Sequence, residues 1–373
     1  MSVQVSYTKQ FALGIILFII VLGVIEIFSI VILDQRDSCN EGLWESGLFS
    51  EYSHNFVKSL CLDYKSMIDY ETPYKHWEPN QNSNSVNINS LGIRGDEINI
   101  EKDSDTYRIV MLGGSAMYGL YATNDSSTIA GFLEKKIHEE NPEFKVEVIN
   151  AGVNGATSFD ETRFLEDKLL QLNPDMVFVY DGANDLKYKI SDKHLFDSTW
   201  PSEIEKIIKK IRNYYKTTHL IDFLDRVAQK KILGDQDKKL EELSEEKIAE
   251  KVELWQERWE KICKSENMKD VQLVISIQPY LGVGNKNFSD WEMMIKQTNK
   301  KIDVSEFYPV IINELETIDS NCAVTLDLTN VFDEYSETIF YDLAHLVDFG
   351  NKIVADRIYE GIIPVLKENN HRY

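Results

Sequence analysis

The sequence predicts an α/β fold built on a mostly parallel sheet, and three observations lead there. Five short apolar runs, Tyr107–Leu112, Val146–Asn150, Met176–Tyr180, Val271–Ile277 and Val324–Leu328, are rich in Val and Ile, as strands buried on both faces should be. Segments with helical spacing separate and follow them, at Ser127–Glu139, Asp160–Gln171, Glu203–Tyr215, Glu241–Ser265, Val304–Ile318 and Phe349–Glu368. Strands alternating with helices are the pattern of a sheet sandwiched between helical layers. Third, glycines cluster where strands end, as at Gly113-Gly-Ser115 and Asn150-Ala-Gly-Val-Asn-Gly155, which marks tight turns.

The N-terminus is of another kind. Residues 1–10 form a short tail, and Phe11 to Leu33 is apolar except for Gly14, Gly23, Glu26 and Ser29. As a helix this run spans about 34 Å, enough to cross a bilayer. It is longer than the apolar region of a cleaved signal peptide, and Ile32-Leu-Asp-Gln-Arg-Asp-Ser-Cys39 offers no small-x-small cleavage site. Arg36 and Asp37 also break the pattern of a lipoprotein signal at Cys39. The expectation is a retained single-pass anchor. Lys9 is the sole basic residue before the span, which points to a cytoplasmic N-terminus and an extracytoplasmic body. The four cysteines, Cys39, Cys61, Cys263 and Cys322, suit two disulfides in an oxidising compartment. The preferred pairing is local, Cys39 with Cys61 and Cys263 with Cys322. None of them has metal-ligand spacing, so no metal site is expected.

Residues 34–105 read as an approach segment of turns and short strands that covers the main domain, which runs from 106 to 373. Within that domain the stretch of about 200–265 is long for one crossover and dense in Lys and Glu. It reads as a helical insertion packed beside the sheet, with a lid or a partner-binding hairpin as the alternative. The formal net charge of −22, from 62 acidic and 40 basic residues, repels nucleic acid and anionic head groups and disfavours both as substrates.

The chemistry lies at the strand ends, which in a parallel sheet all open on one edge. The first strand delivers Gly113-Gly-Ser115, the second Gly155, the third Asp181-Gly-Ala-Asn-Asp185, and after the fifth comes Tyr341-Asp-Leu-Ala-His345. Serine is a weak nucleophile unless a nearby base removes its proton, and His345 is the candidate base. Asp342, three residues earlier, can fix the tautomer of that ring and stabilise its charged form. A tetrahedral intermediate needs donors where negative charge develops, and the N–H groups of Ser115 and Gly155 with the Asn184 amide supply three. Structural roles are expected for Asn154, Asp181 and Asp185 inside these segments, and for Arg94 as a salt bridge. Tyr118, Tyr121 and Tyr280 divide evenly between lining a pocket and packing. An α/β-hydrolase nucleophile elbow would need glycine at 117, where Met117 stands, and no Gly-Lys-Ser/Thr follows Gly113 to make a phosphate loop.

On these residues the chain resembles the SGNH hydrolases, the GDSL esterase/lipase superfamily. The four signature blocks of that superfamily supply Ser, Gly, Asn and a His with Asp three before it, and all four occur here in order over roughly residues 107–366. The resemblance implies a three-layer α/β/α sandwich with a flavodoxin-like, five-stranded sheet, and ester or thioester hydrolysis or acyl transfer without a cofactor. It carries over Ser115 as nucleophile, Gly155 and Asn184 to the oxyanion hole, Asp342 as orienter and His345 as base. One departure stands out: the first block reads Gly-Gly-Ser-Ala where the superfamily has Gly-Asp-Ser-Leu. The expected substrate is an ester of a short acyl group such as acetyl, for example on a surface glycan. An O-acyltransferase with the same residues and a non-catalytic envelope scaffold are the alternatives.

Overall fold

The computed structural model describes residues 6–34, 38–70, 73–187, 244–299, 306–318 and 321–369. Helix α1 (Tyr7–Asp34) is continuous, and its stretch Tyr7–Phe28 is long and apolar enough to cross a membrane. The chain goes on through α2 (Ser38–Glu45) and α3 (His54–Ser66) to four two-residue strands, β1 (Asp69–Tyr70), β2 (His76–Trp77), β3 (Gln81–Asn82) and β4 (Asn87–Ile88). These pair as two small antiparallel hairpins.

The main domain then alternates β5 (Tyr107–Gly113), α4 (Ser115–Tyr118), α5 (Ile129–Glu140), β6 (Val146–Asn150), α6 (Ser158–Asp167), β7 (Met176–Asp181) and α7 (Ala183–Lys187). It continues with α8 (Glu245–Cys263), β8 (Gln272–Ile277), α9 (Asp290–Thr298), α10 (Phe307–Thr317), β9 (Val324–Asp327) and α11 (Asp348–Asn369). The expected helix at Glu203–Tyr215 lies outside the described residues, as does most of the 200–265 insertion. Five strands form one parallel sheet in the order β6-β5-β7-β8-β9. The sheet is flavodoxin-like, with its order reversing beside β5, where such sheets open a crevice for ligands.

Burial explains why β5 and β7 are central. Every residue of both strands is buried, and alternate side chains feed two cores. Ile109, Met111, Met176 and Phe178 pack with α5 and α11 on one face. The other face is covered by α6, α8 and α10. One charged side chain sits inside β5. Arg108 is buried, pairs with Glu147 at 2.7 Å and donates to the carbonyls of Asn99 and Leu172, so its charge is matched. Cys263 and Cys322 are bonded as expected and tie the end of α8 to the chain before β9; Cys39 and Cys61 are also disulfide-bonded.

Candidate active site

The expected residues meet at the carboxyl edge of the sheet. β5 ends in Gly113, and Ser115 begins the four-residue α4, so its backbone N–H lies in the first turn, where no intrahelical acceptor is available. The turn has no room for side chains before the serine. A Cβ on Gly113 would stand 2.6 Å from the Met117 Cβ, and one on Gly114 would stand 2.2 Å from the Asn184 Nδ2. Gly155 adopts φ +66°, a left-handed conformation open to glycine at little cost.

Ser115 Oγ is 2.6 Å from His345 Nε2, and His345 Nδ1 is 2.7 Å from Asp342 Oδ2. The other Asp342 oxygen accepts the backbone N–H groups of Ala344 and His345, both at 2.9 Å. Burial alone would raise the Asp342 carboxyl, but the His345 ring and those two N–H groups outweigh it and hold it at about 2. The carboxylate is therefore ionised at any ordinary pH and fixes Nδ1–H as its donor, which leaves Nε2 to accept from Ser115. Asn184 Nδ2 donates to the Ala156 carbonyl at 2.7 Å, which orients the amide beside the Gly155 turn.

These residues line a cavity of about 410 Å³. Ser115, Gly155, Asn184, Asp342 and His345 all contribute to its wall, along with Asn154, Gln278, Tyr280, Leu120, Leu186 and Leu343. Among the described residues no lysine or arginine lines it. The arrangement supplies a polarised hydroxyl, a base with its orienting carboxylate and neutral hydrogen-bond donors. That is the equipment for attack on a carbonyl carbon.

Sequence reasoning passed over Gln278, because the segment after β8 carries no motif. Tyr280 lies in the cavity wall, whereas Tyr118 is fully buried between Trp77 and Arg94, and Tyr121 packs on Tyr341. Arg94 is structural as expected: it pairs with Asp125 at 2.8 Å and donates to the carbonyls of Ser85, Tyr118 and Gly119. Asp181 and Asp185 are buried and hydrogen-bonded behind the cavity.

Residues 111–296 match the GDSL-like Lipase/Acylhydrolase family. The matched segment holds Ser115, Gly155 and Asn184; Asp342 and His345 lie beyond it. No curated protein matches the chain. Among solved structures it is similar to an alpha/beta hydrolase enzyme from the metagenome of Lake Arreo, Spain, at 12% identity and TM-score 0.40, over 68% of this chain and 94% of that one. It is also similar to the acetyl xylan esterase AlAXEase, at 15% identity and TM-score 0.39, over 68% and 99% of the two chains. A third likeness is to Axe2, an acetylxylan esterase from Geobacillus stearothermophilus, at 14% identity and TM-score 0.40, over 69% and 94%.

Proposed function

We propose that this chain, a member of the GDSL-like lipase/acylhydrolase family and so a carboxylic ester hydrolase, works through an acyl-enzyme on Ser115. The observation that carries the reading is the unbroken series from Asp342 through His345 to the Ser115 hydroxyl, at 2.7 and 2.6 Å. His345 Nε2 takes the hydroxyl proton as Oγ bonds to the ester carbonyl carbon. The oxygen that becomes negative is met by the N–H groups of Ser115 and Gly155 and the Asn184 amide. Collapse of the intermediate breaks the bond to the alcohol, which leaves with the proton from His345. Water then enters and bonds to the acyl carbon as it gives a proton to the same nitrogen; the bond to Ser115 Oγ breaks, Oγ takes that proton from His345, and the acid leaves.

We read the substrate as a short acyl ester, such as acetyl, on a neutral, hydroxyl-bearing molecule such as a surface glycan. The amides of Asn154 and Gln278 in the wall, and the lack of a cation there among the described residues, support an uncharged partner. The N-terminal apolar helix is read as a retained anchor, with the domain of residues 106–373 outside the cytoplasm. The disulfide between Cys263 and Cys322 supports an oxidising compartment.

The test is hydrolysis of p-nitrophenyl acetate, butyrate and octanoate by the full-length chain in detergent, beside Ser115→Ala. The expected result is activity greatest on acetate and lowered by about 10⁴-fold or more in the variant. Equal rates for the two proteins would exclude Ser115 as the nucleophile.

A further inference from the structure

Behind the oxyanion donors lies a buried charged cluster that the proposed reaction does not touch. Asp181 ends β7, Asp185 follows Asn184 on α7, and Glu161 lies near the start of α6; none is more than 9% exposed. α8 meets this cluster with one face. Lys251, Trp255, Arg258 and Trp259 recur at the spacing of a single helical stripe.

The contacts are specific. The indole N–H groups of Trp255 and Trp259 both donate to Asp181 Oδ2, at 2.8 and 2.9 Å. Arg258 Nη1 donates to Ser158 Oγ at 2.9 Å and lies 3.7 Å from Asp185 Oδ1. Lys251 Nζ donates to the Asp185 carbonyl at 3.2 Å. Asp185 in turn accepts from Ser158, at 2.6 Å from Oγ and 3.1 Å from N. Among the described residues no N–H or O–H group donates to either Glu161 oxygen. Burial, and then the Asp181 charge, push that carboxyl well above its usual range.

Two rungs therefore join the loops that carry the oxyanion donors. Asn184 bonds Ala156, next to Gly155, and Asp185 bonds Ser158, three residues further on. α8 is fastened across both loops. A buried carboxylate stripped of a donor must move, hydrate or take up a proton. Any of these shifts the loop that bears it, and a misplacement of about 1 Å at a reacting centre costs on the order of 10²-fold in rate.

We propose that α8 is a positioning element of this active site, its Lys251, Trp255, Arg258 and Trp259 stripe holding the Gly155 and Asn184 loops at the separation the oxyanion requires. The proposal rests on the oxyanion roles given above. Asp185 and Arg258 are its positioning residues closest to the donors, and Trp255 and Trp259 hold the strand end that leads into Asn184.

The experiment uses the full-length chain in detergent with Asp185→Asn, Arg258→Met, Arg258→Lys and Trp259→Phe. Active sites are titrated with diethyl p-nitrophenyl phosphate, whose phosphoryl oxygen needs the same donors, and kcat and KM for p-nitrophenyl acetate are expressed per titrated site. Asp185→Asn and Arg258→Met are expected to lower kcat per site by about 10- to 100-fold, with KM within about 2-fold. Phosphorylation rates should fall in parallel, and Arg258→Lys should recover most of the loss. A merely structural role predicts fewer titrated sites with kcat per site unchanged in every variant, Trp259→Phe included, and that result overturns the proposal. A wild-type protein that the reagent fails to label would instead remove the nucleophile reading, and the proposal with it.

Discussion

At the scale of single residues, Gly114 has the most distinctive role. The superfamily places aspartate there, yet here a Cβ would stand 2.2 Å from the Asn184 amide nitrogen. The obstructing atom is the end of a side chain, so the backbone has no need to move; the amide does. Gly114→Ala is therefore expected to leave the melting temperature within about 2 °C, since nothing in the core changes. It should lower kcat by about 10²-fold, the usual cost of a lost oxyanion donor. Paired thermal melts and steady-state kinetics check this; an unchanged kcat would mean that Asn184 does no work at the carbonyl. The five residues expected at the site were legible because each stands in a short local motif on the chain that follows a strand of the sheet. The close approach of Gly114 to Asn184 was not, because it joins residues 70 positions apart whose separation only the folded sheet sets.

At the scale of elements, the strands were legible to within one or two residues. Full burial selects Val and Ile in runs such as Val177–Val179, and glycine or proline marks their ends. Helix starts were less so. The helix expected from Ser127 begins at Ile129 because Ser127 belongs to a 3-10 turn capped by Asn124, and Thr128 then caps the helix through Gly131 N–H. The helix expected over Asp160–Gln171 begins earlier, on a Thr157/Asp160 capping box, and gives way to a 3-10 turn at Leu169–Leu172. The seam of α8 carries its own prediction. Burial, and then the Asp181 charge, push Asp185 up from 3.8 to about 7. Between those values the folded state holds a proton that the unfolded chain has released, so this contribution to stability is full below about pH 4 and lost as pH rises through 7. Asp342, held at about 2, has the opposite sign and loses its contribution only as pH falls toward that value. From pH 5 to pH 8 the melting temperature of the wild type should therefore drop further than that of Asp185→Asn. Parallel drops in the two proteins would show that Asp185 titrates as it does in water.

At the scale of the whole molecule, the N-terminal helix and the sheet domain divide the labour: one offers an apolar span, the other a cavity whose described lining is free of lysine and arginine. The apolar helix was legible from length and hydropathy alone, because it meets the simple requirement of about 20 apolar residues that a bilayer sets. If the helix is a retained anchor, the full-length chain will stay with membranes through alkaline carbonate extraction, and a chain starting at Asp37 will not. A mature protein found lacking its first 30 or so residues would identify the helix as a cleaved signal instead. The net charge of −22 bears on partners and not on chemistry, and it matches a neutral ester better than an anionic one. The central claim, that Ser115 carries the acyl group, is tested most directly by acid-quenching turnover of p-nitrophenyl acetate and mapping added mass by peptide mass spectrometry. The account predicts one acetyl group on the peptide containing Ser115, increased in His345→Ala relative to turnover because deacylation has lost its base. An acetyl group on another residue, or none while turnover proceeds, would contradict it.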